Sequence, residues 1–170
     1  MPNWTQNEVT FSSAKTTNIK KIKEIFEKGS PFNQLIKEPN WKTVPLKGNE
    51  KRNSFMRETL GEKGELPIIE EFKLNNGEVM KLSKFKSTNV QDTRWYDWRC
   101  EKWDTKWDVP KDEIEITEIN NGSIVIGFNT AWCAPYAIYK KLRNKFKDVK
   151  IEWWAIDEDD QTNGEGYYLT

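Results

Sequence analysis

The stretch "EIEITEINNGSIVIGFN", residues 113–129, decides how this chain is read. Ile114 and Ile116 alternate with polar residues before Asn121-Gly122, and Ile124, Ile126 and Phe128 alternate after it. Strict alternation marks a strand with one buried face, and Asn-Gly tolerates the positive φ angles of a tight turn. The stretch predicts a β-hairpin. Downstream, "APYAIYKKLRNKFKD" (134–148) places Pro135 in a first helical turn and Tyr136, Tyr139, Leu142 and Phe146 at helical spacing. Thr130 or Asn129 is the expected cap of that helix. "VKIEWWAI" (149–156) then reads as a strand with Ile151, Trp153 and Ala155 on one face, Glu152 and Trp154 on the other.

Upstream, "NEVTFSS" (7–13) alternates Val9 and Phe11 with polar residues, which predicts a first strand. In "TTNIKKIKEIFEKGS" (16–30), Ile19, Ile22, Ile25 and Phe26 recur at helical spacing. Thr17 or Asn18 can cap that helix and Gly29 can stop it. The order is β-α-β-β-α-β. Short right-handed connections fold that order into a ferredoxin-like α+β domain: a four-stranded antiparallel sheet with two helices on one face. The reading is a single domain over 1–170, with the core at about 3–29 and 112–157 and a long Trp-rich insertion at about 30–111. An acidic tail follows at 157–170. Within the insertion, "KLNNGEVMKL" (73–82) predicts a small hairpin turning at Asn76-Gly77.

Composition narrows the function. The 170 residues hold nine Trp, eight Phe and five Tyr, large rings able to fill the core of one domain. With no histidine and two cysteines, Cys100 and Cys133, the usual zinc sites, His-based triads and four-thiolate clusters are excluded. No cofactor or metal is expected, and no apolar run reaches the roughly 18–20 residues that cross a bilayer. The start lacks a basic-then-apolar leader, so a cytoplasmic protein is expected. The formal charge is zero, with 16 Lys+Arg against 11 Asp+Glu in residues 1–90 and 11 against 16 in residues 91–170. A neutral total argues against a general nucleic-acid binder.

"RWYDWRCEKWDTKWD" (94–108) holds Trp95, Trp98, Trp103 and Trp107. Exposed, those indoles would stack on bases beside Arg94, Arg99 and Lys102. Buried, they would cover the sheet face that the helices leave open. Asp97, Glu101, Asp104 and Asp108 would repel phosphate, and the covering role is the expectation. RNA-recognition sheets carry rings on their central strands, whereas Glu8, Thr10, Val125 and Gly127 occupy those places here, and only Trp154 on an outer strand points that way. Cys133 precedes a helix, and without a base it reads as a buried structural cysteine. Asp159, Gln161, Asn163 and Gly164 imitate part of a calcium loop that lacks its final Glu, so a solvated acidic turn is the default.

"MPNW" (1–4), "PFNQLIKEPNW" (31–41), "WYDWRCEKWDTKWD" (95–108) and "FNTAWCAPYAIYKKL" (128–142) resemble segments of a phage- and plasmid-encoded family of unknown function with a YubB-type ferredoxin-like domain. In that family an opening Met-Pro-Asn-Trp-Cys, a "WGTKWD" and a "TAWSPP" segment recur, carried here by Trp4, Trp103, Trp107 and Trp132. Thr5, Asp104 and Ala134 depart from the pattern. The resemblance implies a bacterial mobile element.

Three functional classes remain. The first is a non-catalytic protein that binds a host or phage protein, of the kind that inhibits a host defence system (anti-CRISPR or anti-restriction). Its expected contact residues are Glu152, Trp154, Asp157, Glu158, Asp159 and Asp160, a negative patch that docks on a basic surface. The alternative is a single-stranded RNA or DNA module. The third, carboxylate-only glycosidase-like chemistry, has no identifiable pair in the sequence and needs two convergent carboxylates in one pocket.

Overall fold

The computed structural model describes residues 3–41, 44, 68–73, 79–83, 94–160 and 164–170. The chain divides into two compact units, Met1–Lys37 with Arg99–Thr170, and Glu38–Trp98.

The first unit is built on a five-stranded antiparallel sheet, one strand more than expected. Its strands are β1 (Trp4–Ser12), β4 (Glu115–Asn120), β5 (Ser123–Ala131), β6 (Lys150–Asp157) and the two-residue β7 (Tyr167–Tyr168), in the order β4-β5-β1-β6-β7. The hairpin read from Asn121-Gly122 joins β4 to β5, with Ile116 opposite Ile126. β1 lies between β5 and β6, with Val9 opposite both Ile126 and Trp153. The fifth strand arises because the chain returns after Gly164, where Tyr168 pairs with Trp154 and Tyr167 with Ala155.

One sheet face is the core. Val9, Phe11, Ile124, Ile126, Phe128, Trp153 and Ala155 are buried on it. Above them lie Ile19, Ile22 and Phe26 of α1 (Thr16–Glu27), Phe32 and Leu35 of α2 (Pro31–Leu35), and Ile138, Tyr139 and Leu142 of the helix Tyr136–Lys145. Rings dominate: Phe128 sits 5.8 Å from Phe26, 6.0 Å from Phe32 and 5.7 Å from Trp153, centroid to centroid. Tilted and edge-on pairs of this kind add to the burial energy of the rings themselves.

Both expected helix caps are absent. α1 begins at Thr16 with no side-chain cap, and Asn18 instead donates to Asp148 at 2.8 and 2.9 Å. Asn129 and Thr130 do not cap the Tyr136–Lys145 helix either: Thr130 donates its hydroxyl to the Cys133 carbonyl, and Ala137 N–H donates to Asp104 Oδ2 at 2.6 Å. Asp104 has φ +62°, in the left-handed region that glycine enters most cheaply. This is the position where the "WGTKWD" pattern has glycine. Asp104→Ala is expected to lower stability by about 1–2 kcal/mol, since it removes the acceptor and keeps the strained backbone. Asp104→Gly also loses the acceptor but relaxes the backbone, so its loss should be about 1 kcal/mol smaller. Urea denaturation of the two variants measures the difference.

The second unit contains β2 (Ile68–Lys73) and β3 (Val79–Ser83), paired antiparallel around the hairpin read at Asn76-Gly77, although the turn itself lies outside the described residues. The helix Arg94–Trp103, here α3, begins in this unit, which makes Tyr136–Lys145 α4. Arg94 is buried and donates to the carbonyls of Trp41 (2.8 Å) and Val44 (2.9 Å). The indoles of Trp41 and Trp98 meet edge-on at 6.2 Å.

Candidate functional site

Within the first unit, Trp103 does not cover the open sheet face, contrary to the sequence expectation, and Trp107 reaches only its end, at Trp4. Trp95 and Trp98 belong to the second unit and are half-buried. Trp103 is buried on the helix side, 6.1 Å from Phe32, with its Nε1–H donated to the Ile36 carbonyl at 3.0 Å. Trp107 lies at the end of the sheet, where it meets Trp4 at 5.8 Å. Lys106 Nζ stands 3.8 Å from the Trp107 ring centre and 4.8 Å from that of Trp132. Trp132 is 42 % exposed and has φ +74°.

The three segments carrying the motifs meet here. Trp132 N–H donates to the Asn3 carbonyl at 2.8 Å, and Thr105 Oγ1 donates to the Ala131 carbonyl at 3.1 Å. Trp4, Trp107 and Arg99 line an adjoining pocket of about 370 Å³. The same pocket contains Asp108, which accepts the backbone N–H groups of Phe32, Asn33 and Val109 at 2.8–3.0 Å. Burial pushes the Asp108 carboxyl above its ordinary value; those three N–H groups and the Arg99 charge oppose the shift. Asp108 is therefore spent on the start of α2.

The open face itself is polar. The pairing register sets Tyr168, Trp154, Glu8, Gly127 and Glu115 in one row across the five strands. Gly127 leaves a hollow at its centre. An added Cβ there would meet nothing closer than Glu115 Cβ at 3.8 Å. The resulting dish, about 260 Å³, is lined by Gln6, Glu8, Glu113, Glu115, Asn129 and Trp154, and shares Glu113 and Asn129 with the Trp4–Trp107 pocket. Glu8, Glu113 and Glu115 are exposed, and no cation among the described residues pairs with them. Trp154 supplies the dish's indole wall, and Gly166 lies against it so closely that a Cβ would come within 2.2 Å of the ring.

The acidic run expected to dock a partner is largely engaged within the molecule. Asp157 accepts from Thr5 Oγ1 at 2.6 Å, Glu158 from Trp4 N–H at 2.9 Å, and Asp159 from Asn3 Nδ2 at 2.9 Å. These carboxylates hold the start of β1. Glu152 pairs with Lys150 at 2.8 Å, and Asp160 is exposed. Of the expected contact residues, Trp154 lines the dish, while Glu8, Glu113 and Glu115 went unassigned as contacts. For Glu8 and Glu115 the signal was present in the alternation of β1 and β4; Glu113 lies in the turn before β4. The calcium-like reading falls partly on residues 161–163, outside the described residues. Among the described residues no group of three or more potential ligands is close enough to hold a metal ion.

Cys133 is exposed, not buried as expected, because its loop lies outside the sheet; its Sγ–H donates to the Asp104 carbonyl. Partial burial, with Asp104 and Asp157 nearby, holds this thiol above its usual range, which disfavours the reactive thiolate. Among the described residues no helix is long and apolar enough to cross a membrane. No family model, curated protein or solved structure matches the chain.

Proposed function

We propose that the chain is a non-catalytic binding protein of a bacterial mobile element that docks on a basic segment of a host or phage protein, as an inhibitor of a host defence complex does. The observation that carries this reading is the dish: three carboxylates around Gly127 without cationic partners among the described residues, an indole wall at Trp154, and a tryptophan-walled pocket next door. A guanidinium suits the dish, bonding carboxylate and stacking on an aromatic face together. An apolar side chain beside it in the partner suits the pocket that Trp4 and Trp107 line. The strand order β4-β5-β1-β6, with helices on one face, supports the ferredoxin-like reading. The mobile-element origin rests on the resemblance of the motif segments to the YubB-type family.

Glu8, Glu113 and Glu115 also bring convergent carboxylates into one depression, which favours a second reading as carboxylate acid–base chemistry. The general acid of such chemistry sits in a desolvating pocket, whereas these three stand exposed. Binding remains the better account. Purified full chain used as bait in a bacterial lysate should retain one protein in stoichiometric amount, eluted by salt. Retention of nothing by folded bait, or of the same proteins by bait carrying Glu8→Lys and Glu115→Lys, would refute the proposal.

A further inference from the structure

A second surface has the opposite character. Between α4, β6 and the last residues lies a groove of about 660 Å³. Among the described residues its charged lining is Lys140, Arg143, Lys147 and Lys150, with no Asp or Glu. Lys140 and Arg143 are three residues apart on α4 and so share one side of it, and Lys147 follows just beyond the helix end at Lys145. Among the described residues none of the three has a carboxylate partner; Lys150 has Glu152.

The groups beneath these cations hold them in place. Lys140 Nζ lies 4.3 Å from the Tyr136 ring centre, and Arg143 sits over Tyr139 while donating to its hydroxyl at 3.1 Å. Tyr136 and Tyr139 stack at 5.7 Å, and Tyr139 is buried. Lys140 and Arg143 are thus propped on an aromatic floor. That floor offers no free ring for a base to stack on, so the surface reads charge and spacing rather than sequence.

We propose that this groove binds the phosphodiester backbone of single-stranded nucleic acid. A groove lined by four cations can neutralise a few consecutive phosphates of one strand, and its concave shape admits a strand where a duplex would meet only its rim. This site is separate from the acidic dish and independent of its partner.

Fluorescence anisotropy of the full chain with labelled dT and rU oligonucleotides of about 12 nucleotides tests it, a length on the scale of single-strand binding sites. Both should bind, the duplex more weakly. The slope of log K against log salt should be about −2 to −3 if three or four phosphates are neutralised. Lys140→Glu with Lys147→Glu should lower affinity at least tenfold and flatten that slope by about 1 to 2. Lys21→Glu with Lys28→Glu, exposed positions outside the groove, changes the net charge equally and should leave affinity within about twofold. Equal losses in the two pairs would overturn the proposal, as would no binding at low salt. So would sedimentation showing that the groove instead takes another copy's acidic face, with salt-sensitive self-association removed by the first pair.

Discussion

Asn7→Leu is expected to destabilise the first unit by about 3–5 kcal/mol, because it orphans buried polar groups without changing volume much. Asn7 is 3 % exposed, in the middle of the sheet. Its Nδ2 donates to the Thr5 carbonyl at 3.0 Å and to Thr130 Oγ1 at 2.9 Å, and its Oδ1 accepts the Trp153 indole N–H at 3.0 Å. Thr130 passes the chain of bonds on to the Cys133 carbonyl at 2.9 Å. Leucine would leave the Trp153 N–H without its acceptor in a dry aromatic core, the costly outcome for a buried donor. Trp153→Phe leaves the complementary orphan on Asn7, at about 2–3 kcal/mol including lost ring area. The double variant removes both ends of that bond. It should be at least about 1 kcal/mol more stable than the sum of the single losses implies. Chemical denaturation of the four proteins gives the cycle, and strict additivity would show that the bond contributes nothing specific.

The same network marks where sequence reading stops. The alternation that predicted β1 named Val9 and Phe11 as core. With the alternation of the hairpin it also put Glu8, Thr10, Val125 and Gly127 on the open face, and the register pairs Glu8 with Gly127 and Thr10 with Val125. Period-two patterning carries such information because each strand shows its neighbours only two faces. It said nothing of Asn7 and Thr5, which share the core face with Val9 and Phe11. A polar residue at the inward phase looks like a broken pattern until its partners from β5 and β6 are known.

The tryptophans failed for a related reason. Indoles are amphipathic and fit core, rim or interface alike, so composition identified a cluster without locating it. Trp103 went to the helix side, Trp107 to the end of the sheet, and Trp95 and Trp98 to the second unit. The caps failed because the acceptor for α4 comes from Asp104, 33 residues away from Ala137. Helix-start rules consult only the adjacent residues. The dish was half legible: Gly127 and Glu8 were placed on the open face as a mismatch to ring-bearing RNA-binding sheets. Counted as poor stacking positions, they were not recognised as the floor of an acidic hollow.

Filling or inverting that dish should abolish partner binding while the fold survives. Glu8→Lys with Glu115→Lys replaces two exposed carboxylates by ammonium groups on either side of Gly127. Like charges facing a basic partner cost several kcal/mol, so affinity should fall at least about a hundredfold. Neither residue has an ion-pair partner among the described residues, so the folding free energy should change by no more than about 0.5 kcal/mol. Gly127→Phe tests shape without charge. Gly127 lies mid-strand, has no positive φ, and offers ordinary van der Waals space at its Cβ. An aromatic residue there suits strand propensity and would occupy the hollow between Glu8 and Glu115. Its thermal midpoint should hold or rise, and its affinity for the captured partner should fall at least about tenfold. A charge-only interaction would be hurt by the first variant and spared by the second; a contact made elsewhere on the surface would be spared by both. Loss in both, with melting unchanged, assigns the contact to the dish.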